Sequence, residues 1–108
     1  MKIWVDDIRF PEGSGYLCAR SVNEAKRFIE DQELLLKASG GKSYYKIDVI
    51  DIDHDAGDYY KDGGDFIKLL DWLEETHRNY PIHIHSMNPV GIQNMRRIIE
   101  RNHWMEIK

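Results

Sequence analysis

The chain has one cysteine and three prolines in 108 residues, no long apolar run and no excess of basic side chains. With Cys18 alone there is no internal disulfide and no cysteine-based zinc site, and the composition fits a reducing, cytoplasmic setting. No stretch approaches the ~20 apolar residues that cross a bilayer. Met1-Lys2-Ile3-Trp4-Val5 leads straight into Asp6-Asp7, which does not read as a signal peptide. A pI near 5.7 argues against a protein that coats nucleic acid. What is present is ordinary for a globular chain: 42% hydrophobic and 31% charged residues, enough for one core and too few residues for two. A single domain over residues 1–108 is expected.

Charge is distributed unevenly. Asp48, Asp51, Asp53, Asp55, Asp58, Asp62 and Asp65 are opposed only by Lys61, so residues 48–65 carry −6 of a net −4. Such a run repels itself unless solvent, a cation or proton sharing relieves it. Most aspartate runs are solvated loops; this one begins inside an apolar, β-branched segment.

The pattern predicts strands at Lys2–Val5, Tyr16–Arg20, Ile47–Asp53, Pro81–His85 and Trp104–Ile107. Pro11, Gly13 and Gly15 mark residues 8–15 as loop. Ser21-Val22-Asn23-Glu24 is a capping box that opens a helix with Ala25, Phe28, Ile29, Leu35 and Leu36 on its apolar face, ending before Gly40-Gly41. A second helix carries Phe66, Ile67, Leu69, Leu70 and Leu73 and runs to about Asn79. A third starts at Asn88-Pro89, cap and first turn, with Val90, Met95, Ile98 and Ile99 inward. Alternation of strands and helices predicts a mainly parallel five-stranded sheet of order 2-1-3-4-5. Right-handed crossovers place all three helices on one face. Parallel sheets are rarely bare on one side, so a homodimer or a packed loop over the other face is expected.

In an open α/β sheet, ligands bind beyond the carboxyl ends of the strands. Three strands deliver polar clusters there: Asp6-Asp7, Asp53-His54-Asp55, and His85-Ser86 with Asn88. Asp6, Asp7 and Asp53 form the carboxylate set that Mg²⁺ or Mn²⁺ takes, whereas either member of the pair alone would read as a turn cap. His54 fits a general acid or base, or equally a hydrogen bond to its loop. The pair His54-Asp55 follows a strand, unlike the helical His-Asp pair of metal-phosphohydrolases. His83 and His85 share a sheet face, with His83 further from the edge. Ser86, Asn88 and the following helix start make an anion site, with plain capping as the alternative for Asn88. Gly63-Gly64 would let another helix start approach a phosphate. Arg96, Arg97 and Arg101 read as a solvated helix face, Tyr59-Tyr60 as loop residues, and Cys18 as packing.

The acidic pair, the third-strand aspartate and Ser86 resemble the phosphoacceptor site of response-regulator receiver domains. Ile8-Arg9-Phe10-Pro11-Glu12-Gly13 stands where a receiver has its first helix, the last receiver helix is absent, and the receiver lysine motif is missing. The signature Val5-Asp6-Asp7-Ile8-Arg9, with Asp53 to Tyr59, Asp62-Gly63-Gly64-Asp65 and His85 to Met95, resembles the cyclic-phosphate processing receiver-like family across nearly the whole chain. That resemblance implies a bacterial or phage protein that acts on an RNA 2′,3′-cyclic phosphate end or a cyclic nucleotide. On this reading Asp6, Asp7 and Asp53 hold the cation. His54, His85, Asp53 and Asp55 are the catalytic candidates, and Arg9, Ser86, Asn88 and Gly64 meet phosphate. The alternative is a non-enzymatic module that takes a phosphoryl group on Asp53, or binds a cyclic nucleotide or a protein partner.

Overall fold

The computed structural model describes all 108 residues. Five parallel strands form one sheet: β1 Lys2–Val5, β2 Tyr16–Ala19, β3 Val49–Ile52, β4 Ile82–Ile84 and β5 Glu106–Ile107, in the order 2-1-3-4-5. Three helices, α1 Val22–Ala38, α2 Ile67–Glu75 and α3 Pro89–Arg101, complete the α/β fold. β1 has the expected bounds; β2, β3 and β4 stop before Arg20, Asp53 and His85, which pass to the carboxyl edge, and β5 begins only at Glu106. No helix is long and apolar enough to cross a membrane.

Alternation along the strands sorts the two faces of the sheet. Ile3, Val5, Ala19, Ile50, Ile52 and Ile82 are buried toward the helices, where they meet Ala25 and Ile29 of α1, Leu70 and Leu73 of α2, and Met95 and Ile99 of α3. The helix-free face carries Lys2, Trp4, Tyr16, Cys18, Val49, Asp51, His83 and Ile107. The 8–15 loop is pinned at its amino end. The Trp4 indole donates to the Arg9 carbonyl at 2.9 Å, and Arg20, under the Phe10 ring, donates to the carbonyls of Asp6 and Arg9. Cys18 is half-buried on this face rather than packed in the core.

Local expectations are corrected in a few places. Glu24 closes its capping box on the Arg20 amide, one residue before the cap, while Ser21 Oγ accepts from the Glu24 amide. α2 stops at Glu75, not Asn79, because His77 turns left-handed (φ 56°) and the Arg78 amide returns to the Leu73 carbonyl. α3 ends the same way on His103 (φ 55°), and α1 on Gly40 (φ 74°). Leu35 and Val90, expected inward, are 43% and 66% exposed. Arg96 and Arg101 are not merely solvated: they pair with Glu106 and Glu74.

Candidate functional site

Parallel register decides which polar residues meet. Val5 pairs with Ile52, and Ile52 with Ile84, so Asp6, Asp53 and His85 stand level, one position past the strand ends. The Asp53 amide bonds the Val5 carbonyl and the His85 amide the Ile52 carbonyl, which carries the ladder up to that row. One oxygen each of Asp6 and Asp53 and one ring nitrogen of His85 lie within 4.8 Å of one another. Two residues back on the same face lies a second row of Trp4, Asp51 and His83.

Asp6 is 1% exposed and fully engaged. Its Oδ1 accepts from the amides of Ile8 and Arg9 at 2.9 and 2.8 Å, and its Oδ2 faces Arg9 Nε and His85 Nε2 at 3.1 and 2.9 Å. Burial pushes its carboxyl upward, but those two amides, His85 and the Arg9 charge together hold it below the ordinary carboxylate value. Asp7 goes the other way: burial and the neighbouring charges of Asp6 and Asp53 raise it. Its Oδ2 rests on Gly57, where an added Cβ would lie 2.3 Å away. Asp7 therefore lines the site while standing outside the closest three-residue set.

Arg9 reaches back across this row. Its guanidinium meets Asp6, Asp53 Oδ2 at 3.4 Å and the His85 carbonyl at 3.2 Å, while half of the side chain stays exposed. It supplies the counter-charge that the carboxylates need. Asp53 Oδ1 accepts from the His54 amide at 2.8 Å. The His54 ring bonds Asp55 at 2.8 Å and lies against Gly91 of α3, where a Cβ would come within 2.5 Å of the ring. Ser86 Oγ accepts from the Asn88 amide and Asn88 Oδ1 from the Gly91 amide, so Asn88 is a helix cap beside the site.

These residues surround an open cleft of about 370 Å³ lined by Asp6, Asp7, Ile8, Arg9, Asp53, Asp55, Ser86, Met87 and Asn88. His85 and His54 are not among the lining residues; each touches one that is, Asp6 and Asp55. Gly64 is not among the lining residues; its amide closes a turn onto the Tyr60 carbonyl. A larger hollow of about 450 Å³ lies at the opposite end, by Glu33, Tyr45, Asp48 and Tyr80. Glu33 there is already held by Arg78 and the Tyr80 hydroxyl, so its carboxylate is spent on structure. The carboxylates of Asp6, Asp7, Asp53 and Asp55 gather at the smaller, polar cleft.

Asp51 is the residue that sequence reasoning passed over. It is 7% exposed on the helix-free face, and its Oδ1 meets Nδ1 of both His83 and His85, at 2.8 and 2.7 Å. Burial raises its carboxyl, yet the hydrogen bonds of His85 and His83 bring it below the ordinary value. Period-two parity was the available signal, since Asp51 and Asp53 must share a face as His83 and His85 do.

Asp6 and Asp53, with Asp7 beside them, are the oxygen donors a small divalent cation takes, and His85 Nε2 adds a nitrogen donor. The donor set therefore fits such an ion. The family model described as cyclic-phosphate processing Receiver domain matches residues 1–101. No curated protein and no solved structure matches the chain.

Proposed function

This chain belongs to the cyclic-phosphate processing receiver domain family, and from that premise we propose that it is a divalent-cation-dependent phosphoesterase that opens a cyclic phosphate. The substrate class is an RNA 2′,3′-cyclic phosphate end or a cyclic nucleotide. One observation carries this reading: the level row of Asp6, Asp53 and His85, closed over by Arg9 at the mouth of a polar cleft.

Asp6 and Asp53 would hold the cation, with Asp7 next to them. When bound, it would screen the phosphate charge and make a water more acidic. Arg9 is free to turn from the carboxylates to a non-bridging oxygen, because its side chain is half-exposed and long. Ser86 Oγ accepts from the Asn88 amide, which leaves its own proton for a phosphate oxygen. The water oxygen bonds to phosphorus, one ring P–O ester bond breaks, and the freed alkoxide takes a proton. His54, oriented by Asp55, is the group that takes the proton of the water and returns one to the alkoxide, while His85, oriented by Asp51, stands with the carboxylates. Turnover of a panel of 2′,3′- and 3′,5′-cyclic nucleotides with and without EDTA tests the reading. Metal-dependent appearance of a monoester supports it; no product from any member sinks it.

A second reading follows from Asp53 alone. It follows β3 directly, where receiver domains carry their phosphoacceptor, and its Oδ2 meets Arg9 at the cleft. A mass gain of about 80 Da after incubation with a small phosphodonor and Mg²⁺ would favour phosphoryl transfer to Asp53.

A further inference from the structure

We propose that Asp51 is the positioning residue of a nitrogen-containing cation site: it holds His85 so that Nε2 stands with the carboxylates of Asp6 and Asp53, and the site takes Mn²⁺ in preference to Mg²⁺. The inference deepens the function proposed above and shares its site, but it concerns cation binding rather than turnover.

The His85 ring is fixed on three sides. Nδ1 meets Asp51 Oδ1 at 2.7 Å, and the Trp4 indole stacks on the ring at 4.0 Å with 5° between planes. Nε2 is thereby aimed at Asp6 Oδ2, 2.9 Å away. A plain ion pair with Asp6 would need Nε2 only. A carboxylate behind Nδ1 keeps a proton there, so that a cation displacing the Nε2 proton now shared with Asp6 would meet the Nε2 lone pair, which is what a metal-bound imidazole requires.

Asp51 is anchored in turn. The same Oδ1 takes His83 Nδ1 at 2.8 Å, and His83 stands on the neighbouring strand in direct register. Asp51 thus sits between two imidazoles on a strand whose other face is core, with little freedom to turn away. Its own carboxylate lies behind His85, outside the set that faces the cleft. Magnesium favours all-oxygen shells and keeps its waters, whereas an imidazole donor suits transition ions. One nitrogen among the donors therefore shifts the choice toward manganese.

Mn²⁺ binding to the intact protein, followed by electron paramagnetic resonance, tests this without reference to catalysis. Wild type, Asp51→Asn and Asp51→Glu are titrated with Mn²⁺ and with competing Mg²⁺. Electron spin-echo modulation of the bound ion, on protein with ¹⁴N- or ¹⁵N-labelled histidine, reads its ligands. The expected result is one bound Mn²⁺ with a directly coordinated histidine nitrogen. Asp51→Asn should lose roughly tenfold in Mn²⁺ affinity, and much less for Mg²⁺, with Asp51→Glu partly restoring it. An all-oxygen shell, an Asp51→Asn variant that binds Mn²⁺ like wild type, or no Mn²⁺ binding would each overturn the proposal. Should Asp51→Asn fail to fold, the wild-type modulation alone decides. Histidine-bound Mn²⁺ in a protein that turns over no cyclic phosphate would uphold this site and reject the esterase.

Discussion

Each aspartate of the 48–65 run but the exposed Asp58 has a partner of its own. Asp48 takes the terminal ammonium, Asp51 the two histidines, Asp55 His54, Asp62 the start of α1, and Asp65 the Ala56 amide. Only Asp53 and Asp55 line the cleft, so a cation there would serve the carboxylates at the strand ends and not the run as a whole. Replacing Asp53 or His85 by alanine should lower turnover by roughly 10²–10⁴-fold while the circular dichroism spectrum is unchanged. Equal turnover in both would remove them from the chemistry. Arg9→Gln separates two roles of one side chain. With the guanidinium gone from Asp6 and Asp53, Mn²⁺ should bind more tightly in calorimetry, yet turnover should fall for want of a phosphate clamp. Weaker Mn²⁺ binding in that variant would contradict the account. Asp6, Asp53 and His85 were legible in the sequence because strand ends are short and polar. Asp51 was not, because its role depends on a cross-strand register that periodicity alone does not supply.

Helix termini carry much of the local organisation. Ser21 Oγ accepts from the Glu24 amide and donates to Asp62 at 2.5 Å, so one hydroxyl caps α1 and ties the acidic loop to it. Ser21→Ala should cost about 1–2 kcal/mol in urea unfolding; a midpoint equal to wild type would show the cap to be dispensable. The Asn88-Pro89 start and the Gly40 stop were readable from residue type, whereas the stops at His77 and His103 were not, since the usual left-handed cap is glycine. Gly91 is a different kind of helix residue. A Cβ there would meet His54 Cγ at 2.5 Å, so the first turn of α3 can lie on His54 only because position 91 is bare. Gly91→Ala should shift the His54 ring resonances in NMR and lower turnover. An unmoved His54 signal would show that the contact does not hold the ring.

At the scale of the molecule, the one-sided sheet follows from an alternation the strands already display: isoleucine and valine toward the helices, mixed polar residues away. Strand order and helix count were legible for that reason. Stability should follow the carboxylates. Asp6, Asp51, Glu33 and Glu106 titrate below their ordinary values of 3.8 or 4.5, so protons bind the unfolded chain first. Their contribution is complete above those values and is lost as pH falls through the lower, folded ones. Asp7, raised by burial and its neighbours, works in the opposite sense. The melting temperature should therefore hold near neutrality and drop steeply in acid, and a flat profile down to pH ~3 would contradict this balance. Tyr80, raised by burial and then by Glu33, keeps its contribution until strongly alkaline pH. The central claim, that a cleft at the carboxyl edge opens cyclic phosphates, is tested most directly by ³¹P NMR. Wild type and Asp53→Ala are followed side by side with Mn²⁺ and a 2′,3′-cyclic nucleotide or cyclic-ended RNA. The account predicts that the cyclic resonance gives way to a monoester in wild type alone and persists with EDTA. A cyclic resonance unchanged by wild type for every substrate, or lost equally with Asp53→Ala, would contradict it.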